Sequence, residues 1–161
     1  MKKVKAIIPY IVVIILVLLF KKFFYSPIKV NGDSMKNNLR DGDIMILDII
    51  GYSFSDIKRF DIVVIDIGDE YIIKRVIGLP GEEVEYKDNQ LYINGKKVKE
   101  NYGYGKTDDF VAKVSKDSYF VLGDNRGNSL DSRYFGSFSK DKILGRTGFT
   151  IFPFSRFGNK K

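Results

Sequence analysis

Residues 32 to 35 read Gly-Asp-Ser-Met, in a chain of 161 residues that has no histidine and no cysteine. A serine between glycine, aspartate and methionine is either a turn residue or a nucleophile. If Ser34 is a nucleophile, its base cannot be an imidazole of this chain, so a Ser-His-Asp triad is excluded. Another base would have to activate it, and Lys74, in EYIIKRVI, is the candidate. Strand alternation puts Ile72 and Val76 on its face and leaves Arg75 between Ile73 and Ile77 on the other. That pattern does not separate Lys74 from Arg75, and a lysine discouraging aggregation at a strand edge fits it equally. The third segment, GDNRGNSLDSRYFG over residues 123–136, is dense in side chains that bond to backbone and to one another. It is either a long polar loop with an Asp-Arg pair or a support for chemistry.

These segments need elements to place them. Ile44 to Leu47, Ile62 to Ile67, Tyr71 to Ile77, Leu91 to Ile93, Tyr119 to Leu122 and Gly148 to Phe152 are short and rich in β-branched or aromatic residues. Asp41-Gly42, Gly68-Asp69, Pro80-Gly81, Asn94-Gly95 and Gly123-Asp124-Asn125 punctuate them, and Asn94-Gly95 in LYINGKKV predicts a two-residue hairpin. Residues 99–117 are polar and glycine-containing and predict an exposed excursion. No helical period runs outside the N-terminal segment. The expected fold class is mainly β, preceded by one helix.

That segment, residues 6–20, is uncharged and almost wholly apolar. At ~1.5 Å per residue it would be about 22 Å long; carried on to Tyr25 it reaches about 30 Å, the thickness of a bilayer core. A cleaved signal would end in small residues. Here KKFFYSPIKV follows, and the chain has only two alanines, Ala6 and Ala112. An uncleaved transmembrane anchor over residues 1–25 is therefore expected. Lys2, Lys3 and Lys5 with the amino terminus, against Lys21 and Lys22, lean towards an N-terminus inside and residues 26–161 outside the cytoplasm. Taking those five lysines from the 27 basic residues leaves 22 against 20 acidic ones, too even for a nucleic-acid binder. The missing cysteines exclude disulfides and thiolate metal sites.

Taken together, the segments resemble type I signal peptidase, the membrane-bound serine protease that removes signal peptides from secreted proteins. GDSM with Leu39 and Gly42-Asp43 resembles that family's nucleophile box. IIKRVIGLPGE over residues 72–82 resembles its lysine box, and GDNRGNSLDSRYFG resembles its third box nearly residue for residue. GRTGFTIFPFSRFG over residues 145–158 is similar to its closing strand. The resemblance implies an antiparallel, partly open β-barrel catalytic domain over residues 26–161 with a smaller inserted region at 82–118. It implies Ser34 as nucleophile and Lys74 as general base, with Ser129 bonded to the Lys74 amine. It also implies a supporting Asp131–Arg133 pair that Asp124 joins, and substrate pockets lined by Met35, Leu39, Ile72 and Ile73. No metal or cofactor is implied. The partners would be preprotein signal peptides with small residues at −1 and −3 and the lipid bilayer, for a monomer that binds no nucleic acid. The chain departs from the family where Asn37-Asn38 replaces Pro-Thr, where Gly32 replaces a serine found in some members, and at Gly127. A non-catalytic peptide-binding module of the same fold would use the same segments, but has no reason to keep Ser34, Lys74 and Ser129 together. A self-cleaving regulator would need a sensor or DNA-binding part that residues 1–30 do not offer.

Overall fold

The computed structural model describes residues 7–16, 25–49, 51 and 55–160. Twelve strands are named, all in antiparallel ladders: β1 (Tyr25–Lys29), β2 (Ile44–Asp48), β3 (Ile62–Asp66), β4 (Tyr71–Gly78), β5 (Glu83–Lys87), β6 (Gln90–Ile93), β7 (Lys96–Lys97), β8 (Phe110–Lys113), β9 (Ser118–Leu122), β10 (Phe138–Ser139), β11 (Ile143–Phe152) and β12 (Gly158–Asn159). The helix over residues 7–16 is α1, and the single turn Ser132–Phe135 is α2. The larger sheet runs β1-β2-β11-β3-β4-β9-β10, with β12 on β11, and the smaller runs β7-β6-β5-β8. The architecture is mainly β and antiparallel, as expected.

The described residues 7–16 of α1 span about 15 Å at ~1.5 Å per residue. Among the described residues no helix is long and apolar enough to cross a membrane. Of the stretch expected to do so, residues 1–6 and 17–24 lie outside the described residues.

β3 shows why the core has layers. Its alternate residues Ile62 and Val64 join Ile28, Met45, Leu47 and Ile73 in one cluster, while Val63 and Ile65 join Val76, Val121 and Ile143 in another. Both faces of the strand are covered, so the period-2 pattern becomes an unbroken apolar run. A third cluster binds the two sheets: Ile77, Phe120 and Leu122 of the large sheet pack with Val84, Tyr86, Leu91 and Ile93 of the small one. β4 lies between β3 and β9, so Lys74 is not on an edge strand of the sheet. The pairing is uneven, however. Residues 71–75 of β4 pair with β3, whereas β9 pairs only with Arg75, Val76 and Gly78. The N-terminal half of β4 is thus left without β9 on its second side.

Residues 99–117 are not wholly an excursion. β8 falls inside them and pairs with β5 from Glu83↔Lys113 to Tyr86↔Phe110. Phe110 packs against the third cluster and Thr107 is buried. Asn94-Gly95 turns β6 into β7 with both residues at positive φ, as a two-residue hairpin requires.

Candidate active site

Ser34 sits in a tight turn that follows β1. Two backbone bonds close the loop containing it, Val30 N–H to Asp43 O at 2.8 Å and Gly42 N–H to Val30 O at 2.9 Å. Within it, Leu39 N–H bonds Met35 O at 2.8 Å, one helical turn that drives both side chains into the first core cluster. Asn37 takes a left-handed conformation at φ 87°, which asparagine tolerates better than most residues. The segment after β9 holds the turn from the other side: Asn125 N–H donates to Ser34 O at 2.9 Å and Asn125 Nδ2 to Asp33 O at 3.1 Å.

Lys74 comes from the middle of β4 and is 4% exposed. Its Nζ lies 2.8 Å from Ser34 Oγ and also donates to Ile73 O at 3.1 Å. Burial pushes the amine down to about 8, against the pull of the Asp131 and Asp124 carboxylates, which favour its charged form. At pH 7 such an amine is neutral in roughly one molecule in ten, against about one in 2,500 for an ordinary lysine. A serine hydroxyl and a partly neutral amine are therefore in hydrogen-bond contact.

Two buried carboxylates flank the pair. Asp131 caps α2, accepts from Gly123 N–H at 3.0 Å, and binds Arg133 through Nε and Nη2 at 2.9 Å each. Burial opposes its ionisation, but the Arg133 and Gly123 bonds hold it below the usual aspartate value. Asp124 is bound by Arg75 Nε and Nη2 at 2.7 Å each, in a pair with both side chains buried.

A cleft of about 400 Å³ opens beside Ser34 and Lys74, lined by Val30, Asn31, Met35 and residues 69–73. Its β4 wall is the stretch that lacks β9.

The signal peptidase family, peptidase S26, matches residues 3–152. The chain belongs to the signal peptidase family. It is 43% identical to the signal peptidase I of Bacillus amyloliquefaciens, over 94% of this chain and 89% of that protein. It is 38% identical to the signal peptidase IB of Staphylococcus aureus, over 94% and 90%. A crystal structure of a signal peptidase I from Enterococcus faecalis V583 superposes with a TM-score of 0.53 at 39% identity, covering 57% of this chain and 97% of that one. The chain is thus a serine peptidase of the signal-peptide-cleaving type.

In this signal peptidase the structure brings Ser34 and Lys74 together, and Asp131 with Arg133. Three expectations change. Ser129 does not bond the Lys74 amine: Lys74 Nζ donates to Ser34 and Ile73, while Ser129 Oγ is buried beside the Asp131 carboxylate, whose ionised form it favours. Asp124 does not join the Asp131–Arg133 pair, because Arg75, one residue beyond Lys74, reaches it first. Leu39 does not line the cleft; it is fully buried, and its place is in the core under the turn. Met35, Ile72 and Ile73 do line it.

Other contributors were not singled out by the sequence. Asn125 holds the Ser34 turn. Arg156, from the 3₁₀ turn Phe154–Arg156, binds Asp43 through Nε and Nη2 at 3.0 Å and Asn38 O at 2.7 Å. The tail is therefore tied to the loop that carries Ser34. An arginine 113 residues away along the chain carries no local signal for such a bond.

Proposed function

We propose that this signal peptidase cleaves preproteins through a Ser34–Lys74 dyad, from a membrane anchor formed by residues 1–25, with the β domain outside the cytoplasm. The observation that carries this reading is the buried Lys74 amine, pushed down to about 8 and 2.8 Å from Ser34 Oγ. Neutral Lys74 takes the Ser34 proton as Oγ attacks the scissile carbonyl carbon. The ammonium so formed returns the proton to the departing amine as the C–N bond breaks, leaving an ester on Ser34. Water, deprotonated by the same amine, then releases the new carboxylate. The Ser34 backbone N–H serves as one donor to the developing oxyanion.

The open side of Tyr71–Ile73 supports an extended substrate, which would add to β4 as a strand through main-chain bonds. Met35, Ile72 and Ile73 give the cleft an apolar floor next to the nucleophile, suited to small side chains at −1 and −3. The nine residues from Tyr25 to Ser34 span at most about 30 Å, which keeps the serine near the bilayer if residues 1–25 enter it.

The test is cleavage of a purified preprotein by the full chain in detergent. Wild type releases mature protein, while Ser34→Ala, Lys74→Met and Lys74→Arg each lose roughly 10³–10⁶-fold. Lys74→Arg keeps the charge but cannot act as a base. Retained processing by Ser34→Ala sinks the dyad. Binding of the signal peptide by wild type with no product would instead identify a peptide-binding module.

A further inference from the structure

We propose that Asn38 is a positioning residue for the cleavage reaction, its carboxamide tying the turn that carries Ser34 to the buried Asp124–Arg75 pair beside Lys74. The proposal rests on the Ser34–Lys74 reading and adds a residue to it. Its role follows from what each of its ends touches.

Its side chain crosses 86 residues of sequence: Asn38 Nδ2 donates to Asp124 Oδ2 at 2.7 Å. Asp124 is immobile, because Arg75 grips both of its oxygens. Arg75 is fixed in turn by Phe60 O at 2.8 Å from Nη1 and by the Tyr102 ring, 3.9 Å beneath the guanidinium carbon. At the other end, Asn38 O accepts from Arg156 Nη2, and Arg156 is held by Asp43. Both ends of Asn38 thus meet ionic groups that are already paired and cannot follow it if it moves. Ser34 is four residues back, across the left-handed Asn37.

The chemistry calls for a neutral donor at this place. Asp124 has an oxygen to share after Arg75 has bound it, so the partner must donate. A second anion here would sit among Asp124, Asp131 and Asp43, with Arg75, Arg133 and Arg156 already committed, and with Asp33, Asp69 and Glu70 near the cleft. It would favour the charged, inactive form of Lys74. A carboxamide supplies the bond and leaves the amine's proton affinity alone.

The experiment measures kcat and KM of the purified full chain on a preprotein from about pH 6 to 10, with melting temperatures, for wild type, Asn38→Ala, Asn38→Asp and Asn38→Thr. In Asn38→Ala, kcat falls roughly 10- to 100-fold, as for a small misplacement of a reacting group, with KM within about twofold. In Asn38→Asp, the limb of the profile that reports Lys74 moves up by about half a unit or more. Asn38→Thr, which keeps a neutral donor, recovers most of the rate. A wild-type kcat in Asn38→Ala overturns the proposal. So does an unmoved limb in Asn38→Asp, which would reduce any loss of rate to simple destabilisation. Either result, obtained while Ser34→Ala and Lys74→Met are inactive, sinks the role of Asn38 alone; an active Ser34→Ala sinks the dyad itself.

Discussion

Lys74 and Arg75 are neighbours on β4, and both finish at the turn that carries Ser34. Lys74 arrives directly, with its amine 2.8 Å from the hydroxyl. Arg75 arrives through Asp124, which it binds with two 2.7 Å bonds and which in turn holds Asn38. Two successive strand residues leave the backbone in different directions, so a single strand supplies both the amine beside Ser34 and the fixing point for the Ser34 loop. The arginine is paired with a buried carboxylate; the lysine is bonded to no carboxylate among the described residues, and burial lowers its hold on the proton.

Cleavage should rise with pH through about 8, the value to which burial lowers Lys74. Below it, each unit of acidification removes about nine-tenths of the neutral amine, so the rate falls about tenfold per unit. A rate profile for kcat/KM checks this, and a profile flat from about pH 6 to 10 would contradict a titrating lysine.

The same burial costs stability. Lys74 ionises less readily folded than unfolded, its value falling from 10.5 to about 8, so between those pH values the unfolded chain binds the extra proton. The cost is full below about 8 and disappears above about 10.5. Lys74→Met, which buries no charge, should therefore be more stable than wild type by roughly 1–3 kcal/mol at pH 7. That advantage should shrink as pH rises to 10.5. Urea unfolding of both proteins at neutral and alkaline pH measures it.

Asp124→Ala should destabilise the fold by about 3–5 kcal/mol, because it leaves the Arg75 guanidinium buried and unpaired. Replacing both residues with apolar ones of similar size should recover much of the stability but not the activity, since Asn38 then has nothing to bond. Thermal melts set beside preprotein cleavage separate the two effects.

Gly123→Ala should damage the site more than its size suggests. A methyl group there would come within 2.6 Å of the Ser34 carbonyl oxygen and would overlap Ser129. The backbone that carries Ser34 would have to shift, at a cost of about 1–3 kcal/mol and a loss on the order of 10²-fold in kcat. An active Gly123→Ala enzyme would show that the turn has more freedom than its Asn125 bonds imply.

Much of the large sheet was legible along the chain. β2, β3, β4, β9 and the second half of β11 coincide with β-branched or aromatic runs that a buried strand favours, and Asn94-Gly95 announced its hairpin. β5 (EVEYK) and β8 (FVAK) were harder to see, because strands with one exposed face interleave charges with apolar residues and look polar on average. The apolar residues near the nucleophile were ambiguous for another reason. Met35 and Leu39 are one helical turn apart and chemically alike, yet Met35 borders the cleft and Leu39 lies beneath it. In the same way, the density of polar groups in residues 123–136 marked a bonded network without saying that Asp124 would take Arg75 and Asp131 would take Arg133.

Side-chain chemistry is a local property, and the chain alone excludes an imidazole or a thiolate as the partner of Ser34. The order of strands and turns follows from local patterns as well. Burial and distance are not local. Lys74 and Ser34 are 40 residues apart, Asn38 and Asp124 are 86, and Arg156 and Asp43 are 113. Only the folded sheet decides that Lys74, rather than another lysine among the described residues, is stripped of water beside a hydroxyl, since desolvation is the sum of contacts from every strand that surrounds it.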